Sequence, residues 1–251
     1  MRTFARIAIL AAFIAGLSSP PAGTASTRSI PDLPVSYVFA TGKLARLQGG
    51  VTYRASAFPI ALRVTPPDRS WGGAQWKANV FAPTEIAQRH LKCSTTPAVC
   101  RPPYYGWVTI GPAGTYSQGP PRALIVILTG FSRVPSVAAT VANLHRGGGV
   151  DYQPTSQVKV AGFSGTQFDG QTASAKHFFI AFTAPSRGAA GAGAADLIEM
   201  NGPGHPFRFV VLNVRGKTVV VLLGSLVLSA DQFPAFLAKS NGILGSLRFP
   251  R

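Results

Sequence analysis

The sequence predicts an α+β domain in which a central β-sheet is covered by helices. Two observations carry this. Phe207 to Val214 and Thr218 to Leu228 are long runs with apolar residues on both faces, separated by a turn at Arg215-Gly216-Lys217. Two-sided apolarity marks central strands, which need further strands beside them and cover above and below. Helical spacing of apolar residues then appears twice, at Val137, Val141 and Leu144 and again at Phe233, Phe236, Leu237, Ile243, Leu244 and Leu247.

In chain order, residues 1–25 read as a secretory leader. Arg2 and Arg6 form a positive start, Ile7 to Leu17 is an apolar run, and Ser18 to Ala25 supplies helix breakers and small residues before an expected cut after Ala25. The apolar run is about 11 residues long, against about 20 needed to span a bilayer. Its rival reading is a retained N-terminal anchor. No Cys follows it for lipid attachment. Thr218 to Leu228 is also about half the needed length, so no transmembrane span is expected in the mature chain. The expected location is secreted or extracytoplasmic.

Residues 26–34 read as a poorly ordered lead, and residues 35–251 as a single α+β domain. Val35 to Phe39, Gly50 to Ala57 and Ile60 to Thr65 read as short strands, and Pro66-Pro67-Asp68-Arg69 as a turn. From Ser70 to Arg101 the signals are weak: Trp71 and Trp76 flank Gly72-Gly73, and Pro83 to Leu91 suits a short helix opened by Thr84. Cys93 and Cys100 form an even pair, which outside the cytosol most simply closes one disulfide around a loop insertion. Such a short loop contributes roughly 2–3 kcal/mol.

Tyr104 to Ile110 and Arg122 to Gly130 read as strands, joined by a Gly- and Pro-rich connection, and Val134 to Arg146 as a helix stopped by Gly147-Gly148-Gly149. Ser156 to Gly170 and His177 to Thr183 repeat the strand theme. Arg187 to Pro206 reads as a mobile loop or a lid. The last helix is expected to open at Asp231 as its cap, with Pro234 in the first turn.

This succession resembles the PsbP-like superfamily, and within it the secreted actinobacterial envelope proteins of the LpqN type. The residues that carry the resemblance are the long apolar strand followed by one helix, Val158-Lys159-Val160-Ala161-Gly162-Phe163-Ser164-Gly165, the paired hairpin, and the closing Ile243-Leu244-Gly245-Ser246-Leu247-Arg248-Phe249. The likeness covers about residues 110–249. It implies an α/β/α sandwich with a central, mostly antiparallel β-sheet flanked by helices, no cofactor, and a binding or assembly role in the cell envelope.

Charge is the other strong feature. Twenty-four Lys and Arg face 8 Asp and Glu, for a formal +16 over 251 residues. Loss of Arg2 and Arg6 leaves about +14. Such a field attracts polyanions. The charges are scattered, however, with no run of five or six basic residues, so a generally basic, solvated surface is the first reading; an envelope lipid or anionic polymer is the candidate partner, and nucleic acid is disfavoured.

Catalysis has few candidates. Asp169 with His177, or Glu199 with His205, would form a base and orienter if folding brought them together. Gly162-Phe163-Ser164-Gly165-Thr166 lacks the second Gly of a nucleophile elbow and reads as a turn or bulge. Metal patterns are missing as well, so no metal or cofactor is expected. The sequence therefore reads as a non-enzymatic binding or assembly domain, with Trp71, Trp76, Tyr104, Tyr105 and Trp107 as candidate ligand-binding aromatics. An extracellular hydrolase using an Asp/Glu-His pair is the alternative. Homomeric assembly through an exposed strand edge is a third reading, and no pattern in the sequence sets the oligomeric state.

Overall fold

A computed structural model describes residues 29–36, 43–76, 105–115, 123–130, 135–146, 149–173, 176–181, 197–225 and 228–251. The leader, Cys93, Cys100 and Tyr104 lie outside the described residues, as does the short helix expected from Pro83 to Leu91.

At the centre, β14 (Pro206–Val214) and β15 (Lys217–Ser225) pair antiparallel, from Phe207 opposite Gly224 to Val214 opposite Lys217. Arg215 at φ 53° and Gly216 at φ 81° make the left-handed two-residue turn that matches strand twist. The Gly216 N–H donates to Asn213 Oδ1 at 2.8 Å. Arg215 has a reason to tolerate that backbone. Its guanidinium donates to the carbonyls of Phe249 and Pro250 at 2.5 and 2.9 Å and sits over the Phe163 ring, tying the C-terminal segment to the turn.

Outward from β15 lie β8 (Ala123–Gly130), β6 (Tyr105–Pro112) and β5 (Trp71–Trp76), each antiparallel to its neighbour. Outward from β14 lies β11 (Phe163–Thr172), whose far edge carries both β9 (Val150–Tyr152) and β10 (Ser156–Val160). Beyond β5, β2 (Lys43–Arg46) pairs with β5 and with β7 (Gly114–Thr115), while β1 (Val35–Ser36) runs parallel to β5. The result is an 11-stranded, mostly antiparallel sheet.

Both faces are buried, as the apolar pattern requires. On one, Ile110, Ile127, Leu212 and Val221 pack against Phe233, Phe236 and Ile243 of α2 (Phe233–Ser246) and against a two-stranded layer of β3 (Tyr53–Arg54) and β4 (Arg63–Val64). On the other, Leu128, Phe168, Phe207, Phe209 and Val220 pack against Leu144 of α1 (Val137–Leu144) and against Phe179 of a second two-stranded sheet, β12 (Lys176–Ile180) with β13 (Leu197–Asn201). Each face thus has one described helix and one small β-layer. The protein is an α+β fold richer in sheet than a purely helix-flanked sandwich.

Four expectations need correcting, the first being that Leu197–Asn201, inside the segment 187–206 expected as a loop or lid, is strand β13 paired with β12. Pro31 to Pro34 are not a loose lead: Leu33 is fully buried, its N–H donates to Arg54 O at 2.8 Å, and Arg54 N–H donates to Pro31 O at 2.9 Å. Trp71 to Trp76 is a strand, because β6 offers a full antiparallel edge on which Gly72 and Gly73 admit close neighbours. Finally, Asp231 does not cap α2. Gln232 occupies the cap position without a side-chain bond, and Asp231 turns to Ser229, which holds its carboxyl below the usual range. By contrast Ser136 Oγ accepts the Ala139 N–H at 3.2 Å and fixes the start of α1.

The β10–β11 hairpin turns through Ala161 at φ 53° and Gly162 at φ 85°. Alanine has no polar side chain to ease the left-handed region, whereas asparagine tolerates it. Ala161→Asn is therefore expected to stabilise the protein by about 0.5–1 kcal/mol in urea denaturation, and a loss of stability would contradict the turn assignment.

Candidate functional site

The aromatics offered by the sequence are divided between faces. Trp71 is fully buried in the α2-side core, with Lys239 Nζ 5.4 Å from its ring centre. Trp107 is half-buried on the opposite face, packed against the α1-side core, and its indole N–H donates to Thr109 Oγ1 at 2.9 Å. In the β5–β6 register Trp76 stands directly opposite Trp107, and Tyr105 opposite Gly130 of β8. Trp71 thus cannot share one groove with Trp107.

The acid–histidine candidates lie on β11, β12, β13 and the turn into β14. Asp169 is taken by Arg208 on the next strand: Nε donates to Oδ1 at 2.6 Å and Nη2 to Oδ2 at 2.7 Å, a two-pronged pair. This contact raises the Arg208 pKa. His177 lies on β12, opposite Met200, in a different sheet from Asp169. Glu199 stands opposite Phe178 on the same small sheet. His205 closes the turn into β14, where its N–H donates to Thr172 Oγ1 at 3.0 Å and its ring packs on Gly202 so closely that a Cβ there would lie 2.6 Å from Nε2. Among the described residues no three His, Cys, Asp or Glu side chains cluster to hold a metal, and no helix is long and apolar enough to cross a membrane.

His145, at the C-terminal end of α1, is part of an aromatic stack. Its ring lies 4.5 Å from Tyr152 and 4.2 Å from Phe168, centre to centre. Burial holds its imidazole below the usual histidine value. The Tyr152 hydroxyl donates to Leu144 O at 2.8 Å, and burial pushes its pKa up to about 12. Because the folded state disfavours the His145 cation, its contribution is complete above the unfolded value of about 6.5 and is lost as pH falls from there through the lowered folded value. Thermal midpoints should accordingly drop from pH 7.5 to pH 5.5, and the drop should shrink in His145→Gln. An unchanged pH dependence in that variant would assign the effect to other groups.

The site with the most consistent chemistry is the outer face of the β3–β4 layer. Its inner positions, Leu33, Ala55, Leu62, Val64, Leu247 and Phe249, are all buried in the core. Side chains alternate along extended chain, so the intervening residues face outward. They form a row, because Asp32 bridges to Arg54, Arg54 pairs with Arg63, and Arg63 bridges to Arg248. Beside it runs a hydroxyl row: Thr52 Oγ1 and Thr65 Oγ1 share a hydrogen bond of 2.8 Å, and Ser246 Oγ accepts the Thr65 N–H at 3.1 Å.

Charge along the row is uneven. Arg54 Nε donates to Asp32 Oδ1 at 2.5 Å, which lowers the Asp32 pKa and raises that of Arg54. Arg248 uses Nη1 on the carbonyls of Gly245 and Leu247, at the C-terminal end of α2. Arg63 has no carboxylate partner among the described residues. Sequence reasoning missed this row because its members come from four separate segments.

No family model matches the chain, and no curated protein matches it. Among solved structures the chain is similar to the cyanobacterial PsbP (CyanoP) from Synechocystis sp. PCC 6803, with 10% identity over 84% of this chain and 96% of that chain and a TM-score of 0.39.

Proposed function

We propose that the protein is an exported, non-enzymatic binding domain of the cell envelope, organised as a PsbP-like sandwich, that holds an anionic polymer on its basic surface. The observation that carries the reading is where the two kinds of side chain lie. Among the described residues Val35 is the exposed large hydrophobic, whereas Arg46, Arg54, Arg69, Lys159, Lys239 and Arg248 are exposed. Over the described residues, so few exposed large hydrophobics beside so many exposed cations favour attraction to polyanions over burial of hydrocarbon. The leader-like N-terminus supports export. An amphiphile-binding groove is the second reading, favoured by the Trp76–Trp107 cross-strand position. The hydrolase reading ranks lower because Arg208 occupies both oxygens of Asp169.

The test is release of the protein from envelope fractions of its own host, by salt steps from about 50 mM to about 500 mM and, in parallel, by mild detergent. Salt alone should release it. Release only by detergent, with a stoichiometric lipid seen by native mass spectrometry, would overturn the polymer reading in favour of the groove.

A further inference from the structure

We propose that the Arg54–Arg63–Arg248 row is a phosphate-reading surface that binds successive phosphates of a linear polyanion lying across the β3–β4 layer, with Asp32 closing one end. The inference rests on the polymer-binding reading above and assigns its ligand class.

Three features of the row point to phosphate. All three cations are arginines, whose planar forks pair two donors with an oxyanion, which a lysine ammonium does not do. They stand on adjacent extended segments, so their backbones are spaced about 4.8 Å apart and the three arginines occupy successive positions across the layer. The adjoining threonine pair adds a hydroxyl donor. The Thr52–Thr65 bond consumes one hydroxyl hydrogen and leaves the other for a ligand. A hydroxyl donor added to guanidinium forks suits the several oxygens of a phosphate better than the two of a carboxylate.

The row is also prepared for binding. Arg248 is held by two main-chain carbonyls, and the inner faces of all four segments are packed in the core, so little ordering remains for a ligand to impose. Asp32 sits in line with the arginines and satisfies Arg54. It therefore competes with an incoming phosphate at that end, and the vacant charge lies at Arg63.

The experiment measures binding of labelled inorganic polyphosphate by fluorescence anisotropy across a salt series. Wild type should bind with a salt-dependent affinity. Arg63→Gln/Arg248→Gln should weaken binding about tenfold and reduce the salt slope by about 2, near one unit per lost phosphate contact. A control with the same charge loss, Arg46→Gln/Arg146→Gln, should leave affinity within about threefold. Asp32→Asn should tighten binding, and this holds the proposal to account even if the double variant fails to fold. Equal losses in both double variants, or no tightening in Asp32→Asn, would overturn the row while leaving the wider reading intact. No salt-dependent polyphosphate binding by wild type would remove both. Equal affinity for poly-glutamate would refute the phosphate assignment, and preference for phosphatidylglycerol vesicles would replace the polymer with a lipid surface.

Discussion

Phe207→Ala is expected to destabilise the protein by about 3–5 kcal/mol, the range for removing a fully buried aromatic. The ring is completely buried and makes edge contacts with Tyr152, Phe179 and Phe209, at centre-to-centre distances of 6.1, 4.8 and 5.4 Å. Gly170, opposite it in the register, leaves the space the ring occupies: a Cβ there would lie 2.4 Å from Phe207 Cζ. The cavity left by alanine would therefore open between two sheets. Phe179 belongs to β12, so the small β12–β13 sheet would lose a principal contact with the main sheet. Urea denaturation gives the magnitude, and amide exchange should show β12 opening before β14. A cost below about 1.5 kcal/mol would mean that the surrounding rings collapse into the gap, and that the cluster does not hold the layers together.

What the sequence revealed and what it concealed follow from the range of the interactions. The β14–β15 hairpin was legible because its signals are local: Arg215-Gly216 supplies a turn and the flanking valines and leucines supply two-sided burial. The start of α1 was legible to within three residues: Val134 was expected, and the helix begins at Val137, where Ser136 caps it. Trp71 to Trp76 was not, since two glycines erase the alternation and the strand exists only because β6 lies beside it. The candidate site was hidden for a stronger reason. Arg54, Arg63 and Arg248 are each unremarkable in their own segments, and Arg248 joins Arg63 only through a bridge made after α2 has returned the chain across the sheet. The sequence did announce an excess of positive charge, but its distribution in space depends on tertiary packing.

Gln75→Leu is expected to cost about 3 kcal/mol, because it removes little volume but strands the buried Leu33 carbonyl and the part-buried Ala57 N–H. Gln75 is 1% exposed, on a strand whose neighbours are apolar or glycine, and its amide is fully used. Nε2 donates to Leu33 O at 2.7 Å and to Ser56 Oγ at 3.3 Å, while Oε1 accepts the Ala57 N–H at 2.7 Å. One side chain on the main sheet thus pins both the segment carrying Asp32 and the turn that follows Arg54. Leucine would leave the buried Leu33 carbonyl without this partner, at about 1–3 kcal/mol, and the part-buried Ala57 N–H at less. The consequence reaches the arginine row. Asp32 and Arg54 are aligned by the main-chain bonds between Leu33 and Arg54 and between Arg54 and Pro31, and these lose their anchor when Gln75 no longer holds Leu33. Polyphosphate affinity should fall together with stability in Gln75→Leu, at a temperature where the chain is still folded by circular dichroism. If stability falls and affinity does not, the row keeps its alignment without Gln75, and the core contacts of Leu33 and Leu62 are what position the arginines.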